Sequence, residues 1–333
     1  MKTSLSVITC LVLATRVFAA EWEPLTTELL KTEKTGFGGV SGVAVDRSTG
    51  DVYIWLSDRG LYRSVDQGTT WKPFGPRIKG RTEWPGCMLT NFGGPLKSWV
   101  IATVYGGPIR SSDDAGETWK SMDNKSNHVD WVAVDWADPA RKFVLTLKHE
   151  SGDLLLASQD GGQTFREVGK GFGPACIFDH QTAVVVQIVP GEGAKKASKR
   201  ILARTTDGAK TFQPVAEHSI KAVPSWFGET LYWLTDKALI TTSDKGQTWK
   251  ELGAVRGGIS GPALGKDARQ LFVLTTAGVV ESNDGGATWS APVALPKEMK
   301  GTSPLSWVAY DPKSDVLYVM KMGSELYRLK RGK

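Results

Sequence analysis

Short apolar runs of five or six residues recur along the chain, each closed by Gly, Asp, Ser or Asn. The first group reads Val40-Ser41-Gly42-Val43-Ala44-Val45, then Asp51-Val52-Tyr53-Ile54-Trp55-Leu56, then Gly60-Leu61-Tyr62-Arg63-Ser64. Trp71-Lys72-Pro73-Phe74 follows after a turn. Their shortness and their β-branched and aromatic content predict strands rather than helices. In order they form strands a, b, c and d of one antiparallel sheet.

The turn between c and d carries a phrase that returns through the chain. It reads Ser-x-Asp-x-Gly-x-Thr-Trp at Ser64 to Trp71, and again at Ser112 to Trp119, Ser158 to Phe165, Thr242 to Trp249 and Ser282 to Trp289. A worn copy keeps Thr205, Asp207, Thr211 and Phe212 but has Ala209 in place of Gly. Successive aspartates, from Asp66 to Asp284, lie 48, 46, 47, 37 and 40 residues apart. That spacing is one four-stranded propeller blade per repeat. The Asp accepts hydrogen bonds from backbone N–H groups later in its own turn. The Gly takes a positive φ that a Cβ would oppose. The phrase is therefore read as structural.

Six turns mark six blades, and a seventh is spelled without one. Leu305 to Tyr310, Val316 to Met320 and Glu325 to Leu329 supply its strands a, b and c. Its strand d is expected from the other end of the chain, at Glu21-Trp22-Glu23-Pro24-Leu25, which resembles Thr70-Trp71-Lys72-Pro73-Phe74. The expected fold is an all-β, seven-bladed propeller closed by its own N-terminal strand, which removes the open sheet edges.

Composition adds compartment and partner class. Lys2 followed by an apolar run from Leu5 to Ala14, then Val17-Phe18-Ala19, reads as a signal peptide over 1–19, with the propeller occupying 20–333. The run is too short to span a membrane as a helix, so a secreted or periplasmic protein without a membrane span is expected. The formal charge of +6 falls further when Lys2 and Arg16 leave with the leader. It permits an anionic partner but lacks the dense basic face that nucleic acid requires. Cys87 and Cys176 fall at equivalent positions of strands a one full blade apart. They are expected as free, buried thiols. With four histidines, no His-x-His or Cys-x-x-Cys spacing and no phosphate loop, neither a metal nor a cofactor is expected. A monomer is expected.

The repeated turns identify the chain as similar to the Asp-box (BNR) propellers, among them sialidases, sortilin-type receptors, photosystem II assembly propellers and xyloglucan-active endoglucanases. That resemblance covers the mature chain and implies the fold far more than an activity. The sialidase arginine motif has no counterpart in Pro76-Arg77-Ile78-Lys79 or Pro108-Ile109-Arg110. The xyloglucanase opening has a partial one: Val40-Ser41-Gly42 is followed by Ser57-Asp58-Arg59-Gly60 and Tyr62-Arg63. Resemblance to that family implies a catalytic base at Asp58, although its general acid comes from a second propeller that is not seen here.

The b–c and d–a loops form the rim opposite the repeated turns. They carry Asp58, Arg59, Tyr105, Lys148, His149, Glu150 and Lys321, and, where d–a loops enter inner strands, Glu83, Trp84, His128-Val129-Asp130-Trp131, Trp226 and Trp307. Trp faces stack on sugar rings, and Asp, Arg and Lys bind hydroxyls or acidic groups. Two chemistries fit a carbohydrate, including an anionic polysaccharide. One is hydrolysis by two carboxyls from Asp58, Asp130 and Glu150. The other is β-elimination on a uronate, as in propeller-fold polysaccharide lyases, with His149 or Tyr105 moving the proton and Arg59 or Lys148 neutralising the carboxylate. Simpler roles stand beside these: blade packing for the tryptophans, a solvated turn for Asp58 and Arg59, and a loop charge cluster for Lys148 to Glu150. The alternative function is a non-catalytic propeller that binds a protein partner or assists assembly. A basic insertion, Val189 to Arg200, lengthens the b–c connection of blade 4.

Overall fold

The computed structural model describes residues 21–36, 38–191, 198–220, 222–299 and 301–331. The chain is a seven-bladed β-propeller, with the blades following one another in sequence order. Among the described residues, six blades have four strands; in the sixth, strand d is reduced to the bridge between Val279 and Val293. The expected leader over 1–19 lies outside the described residues. No described helix is long and apolar enough to cross a membrane. The insertion in blade 4 joins Ala183–Val189 to Lys199–Thr205 as a b–c connection; residues 192–197 within it lie outside the described residues.

Ring closure is as the sequence reads. Blade 7 contains Ser306–Asp311, Val316–Lys321 and Leu326–Lys330. Glu23–Pro24 pairs antiparallel with the last of these, Glu23 opposite Arg328 and Pro24 opposite Tyr327. The Arg328 guanidinium grips the Glu23 carboxylate at 2.6 Å and donates to the Gln67 carbonyl of blade 1 at 2.8 Å. A charged side chain thus ties both chain ends to the neighbouring blade.

The strands end in a common turn whose chemistry explains its sequence. In the first copy, the Ser64 hydroxyl donates to Asp66 Oδ1 at 2.7 Å and accepts from the Gly68 N–H at 2.7 Å. Asp66 also accepts from the Thr70 N–H at 2.9 Å and the Thr70 hydroxyl at 2.7 Å. The same set forms around Asp114, Asp160, Asp207, Asp244 and Asp284. The Gly is required sterically: a Cβ on Gly116, at φ +92°, would stand 2.6 Å from the Phe74 ring. The worn copy keeps the turn with Ala209 at φ 67°.

Large side chains fill the space between blades. Trp55, Trp99 and Trp233, each on a strand b, and Trp131, on a strand a, are among the largest fully buried side chains. Cys87 and Cys176 are buried and free.

One element was not anticipated. Thr27–Glu33 forms a helix between the closing strand and blade 1. Leu29 and Leu30 pack on the core, and Arg59 donates to the carbonyls of Glu33 and Lys34 at 3.0 Å each. A guanidinium satisfying the last carbonyls of a helix favours its termination there.

Candidate functional site

The rim is built by pairing within each blade. The loop entering strand a runs beside the turn leaving strand b. In blade 2, Arg81 and Val104 form a two-way backbone bridge, which brings Arg81 beside Tyr105. In blade 3, Val129–Val134 pairs with Val144–Lys148, and the His149 N–H donates to the His128 carbonyl at 2.9 Å. Residues about twenty positions apart therefore face one another.

Five predicted residues converge there. The Asp130 carboxylate lies 2.5 Å from His149 Nδ1, and Glu83 lies 3.9 Å from the same nitrogen. Glu150 approaches the other ring nitrogen, Nε2, at 3.5 Å. The Tyr105 ring lies 4.5 Å from the His128 ring and 6.5 Å from the His149 ring, centroid to centroid. His128 and His149 meet edge to face at 4.8 Å. Arg81 pairs with Glu83 and stands 5.1 Å from the centre of the Tyr105 ring. Tyr105 is 62% exposed, whereas the Asp130 and His149 side chains are about 15% exposed. The cluster is open on one side and dry on the other.

Its electrostatics follow from that burial. Burial pushes the Asp130 carboxyl above the usual carboxylate range, against the opposing hydrogen bond with His149. Burial lowers the pKa of His128, and the neighbouring His149 lowers it further. Tyr105, His128 and Glu150 all hold positive φ, at 60°, 55° and 52°. Non-glycine residues in that region are uncommon and cluster at functional sites.

Ligand atoms of His128, His149 and Glu150 lie within 4.8 Å of one another, as do those of Glu83, Asp130 and His149. Two imidazoles and a carboxylate are a donor set that divalent zinc accepts. Spacing along the chain gave no sign of it, because the two histidines meet only through the pairing of strands a and b.

The other predicted residues lie elsewhere or serve the scaffold. Asp58 Oδ1 accepts from the Gly80 N–H at 3.1 Å, and its own N–H donates to the Gly80 carbonyl at 3.0 Å. Lys148 Nζ donates to the Asn127 carbonyl at 2.7 Å and to Asn127 Oδ1 at 2.8 Å. Arg59 caps the helix. Trp131 is core, and Trp84 packs against the core of blades 1 and 2. Trp307 is buried and donates from its indole to the Glu83 carbonyl at 3.2 Å, bridging blade 7 to blade 2. Lys321 ends strand b of blade 7, in a turn closed by Ser324. Trp226 lies on Ser225–Phe227, next to the a–b turn, so it stands at the other end of the axis from the expected rim.

That other end holds a cavity of about 890 Å³, lined among others by Trp136, Phe178, Trp226, Tyr310, Arg47 and Lys245. Arg81 is the cluster member that sequence reasoning did not put forward, and His128 was placed on the rim without a role. The available signal was positional, since each sits where a d–a loop meets its own b–c turn.

No curated protein gives a significant sequence match. The family profile of the DUF6242 β-propeller domain matches residues 192–327, from the b–c connection of blade 4 into blade 7. YCF48 from Cyanidioschyzon merolae is similar at a TM-score of 0.51, with 11% identity over 93% of this chain and 98% of that one. YCF48 bound to D1 peptide is similar at 0.54, with 13% identity over 95% and 96%. The extracellular domain of a putative hybrid two-component system from B. thetaiotaomicron is similar at 0.57, with 11% identity over 94% of this chain and 40% of that one. At such identities these likenesses establish the propeller fold, and the chemistry must be argued from the side chains.

Proposed function

We propose that the chain is an exported carbohydrate-active propeller that cleaves an acidic polysaccharide by β-elimination at the rim of blades 2 and 3. The observation that carries this reading is the imidazole of His149, fixed at Nδ1 by Asp130 at 2.5 Å and flanked by the exposed Tyr105. In this scheme His149 Nε2 takes the proton from the carbon next to the uronate carboxylate. The electron pair forms a double bond to the adjacent carbon, and the glycosidic C–O bond breaks. Tyr105 returns a proton to the leaving oxygen. Arg81, which pairs with Glu83 and stands over the Tyr105 ring, is the cation nearest these groups, whereas Arg59 and Lys148 point to backbone carbonyls away from them.

Hydrolysis by two carboxyls has less support. Asp130 and Glu150 approach opposite nitrogens of one ring, so the imidazole stands between them. A glycosidase needs both carboxyls to face one bond. The test is an assay on neutral, sulfated and uronate polysaccharides that follows both new reducing ends and unsaturated product. Reducing ends without unsaturation would favour hydrolysis. Neither binding nor turnover on any of the three classes would remove the carbohydrate reading. The rival, a protein-binding propeller, draws on the peptide complex of YCF48 and would use the aromatic axial cavity. It predicts capture of a partner that survives His149→Ala.

A further inference from the structure

We propose that the groove between blades 1 and 2 is a subsite for the anionic groups of a polyanionic glycan, continuous with the rim cluster. The proposal rests on the carbohydrate reading above and narrows it to a polymer charged on successive sugars. The groove holds about 480 Å³ and is walled by Arg77, Lys79, Tyr105, Arg110 and Trp119. Its charged lining is cationic throughout, with no acid among the described lining residues. The volume lies in the range of small-molecule sites.

Each wall has a defined part. Arg77 and Lys79 are exposed on the connection from blade 1 to blade 2. Arg110 is held by its own turn, donating to the Gly106 carbonyl at 2.8 Å. The Trp119 indole N–H donates to the Gly116 carbonyl at 2.9 Å, so its polar edge is satisfied and its ring forms the wall. Guanidinium groups bind carboxylates and sulfates through paired donors. Aromatic faces cover the apolar faces of sugars. Tyr105 belongs to both the groove and the cluster, with its ring 4.5 Å from His128. A chain with one sugar at His149 would therefore lay its neighbours along three cations. The mild charge of the whole protein makes this concentration local.

The test uses the protein from residue 20 onward and the variant Arg77→Gln/Lys79→Gln, whose side chains are exposed. Binding is measured by calorimetry with polygalacturonate, chondroitin sulfate, xyloglucan and poly-glutamate. The proposal expects binding to polygalacturonate or chondroitin sulfate, or both, and the stronger of the two identifies the anion. It expects the double variant to bind that glycan about tenfold more weakly, with a shallower salt dependence. Equal affinity for xyloglucan, unchanged affinity in the double variant, or poly-glutamate bound as tightly as the glycans would each overturn it. The two readings fail separately. Turnover that survives His149→Ala removes the catalytic reading and leaves the groove. Polyanion binding unaffected in the double variant removes the groove and leaves the rim cluster.

Discussion

Asp130 Oδ1 lies 2.5 Å from His149 Nδ1, and both side chains are about 15% exposed. The carboxylate fixes the ring's orientation and leaves Nε2 on the side of the exposed Glu150, 3.5 Å away. A positioned imidazole contributes about 10²–10⁴-fold to a proton transfer. His149→Ala should lower kcat by that factor with little change in binding. Asp130→Asn should lower kcat by about 10²-fold and alter its pH profile, with partial recovery in Asp130→Glu. Wild-type kcat in His149→Ala would end the proposed mechanism.

The repeated turns should make the fold acid-labile in a narrow window. Hydrogen bonds from Thr118, Thr248 and Thr288 hold Asp114, Asp244 and Asp284 at a pKa of about 2. In the unfolded chain an Asp titrates near about 3.9. A depressed folded pKa gives stability that is complete above the unfolded value and disappears as pH falls through the folded one. Tm should therefore hold to about pH 4.5 and drop steeply from about pH 4 to 2. Combined Asp→Asn changes at these three positions should lower the plateau and flatten that slope. An unchanged slope would mean that other carboxyls control acid unfolding.

Closure of the ring should dominate thermal stability. Removing residues 20–30 takes away the pairing of Glu23–Pro24 with blade 7, the Trp22 hydrogen bond to the Ala294 carbonyl at 2.8 Å, and most of the helix. It exposes a sheet edge and leaves Arg328 without Glu23. A loss of several kcal/mol would lower Tm by about 10 °C in a domain of this size. Scanning calorimetry of the truncated chain measures it, and an unchanged Tm would contradict closure by this segment.

The thiols offer an independent check on the packing. Burial pushes Cys87 up to about 12 and raises Cys176 as well. Thiolate is the reactive form, so neither should react in the native state. Titration of the chain from residue 20 should find no reactive thiol in buffer and two after denaturation without reductant.

Fold and site were legible to different depths, for a physical reason. The turn around Asp66 is local: its donors lie within four residues of their acceptor, so the sequence spells the whole motif. The closing strand was legible because Trp22-Glu23-Pro24 repeats the pattern of a strand d. The helix Thr27–Glu33 was not, because seven residues carry a weak periodic signal and the helix depends on Arg59 at its end. In the cluster, Tyr105, Asp130, His149 and Glu150 were chosen by type and loop position, and pairing brought them together. Arg81 became visible only through its partner across the hairpin, and His128, already placed on the rim, gained its neighbours Tyr105 and His149 the same way. Lys148 and Arg59 show the converse. Their charge suggested ligand contact, while backbone carbonyls 21 and 25 residues away along the chain occupy them.

Asp58 provides the sharpest test between hydrolysis and elimination. The xyloglucanase-like opening marks it as a base, whereas the structure ties its carboxylate to the Gly80 N–H and its N–H to the Gly80 carbonyl. Its φ of 60° is a conformation that Asp and Asn accept more readily than most residues. Asp58→Ala leaves the Gly80 N–H without its acceptor in a half-buried turn, which should cost about 1–3 kcal/mol. The same change shifts the connection that carries Arg81, so kcat should fall modestly along with Tm. Asp58→Asn separates the roles, because the amide oxygen still accepts the hydrogen bond and the backbone is still tolerated, while no basic group remains. On the structural reading, Asp58→Asn keeps both Tm and kcat near wild type. A kcat reduced by about 10²-fold or more at unchanged Tm would make Asp58 the base and move the chemistry from blade 3 to blade 1.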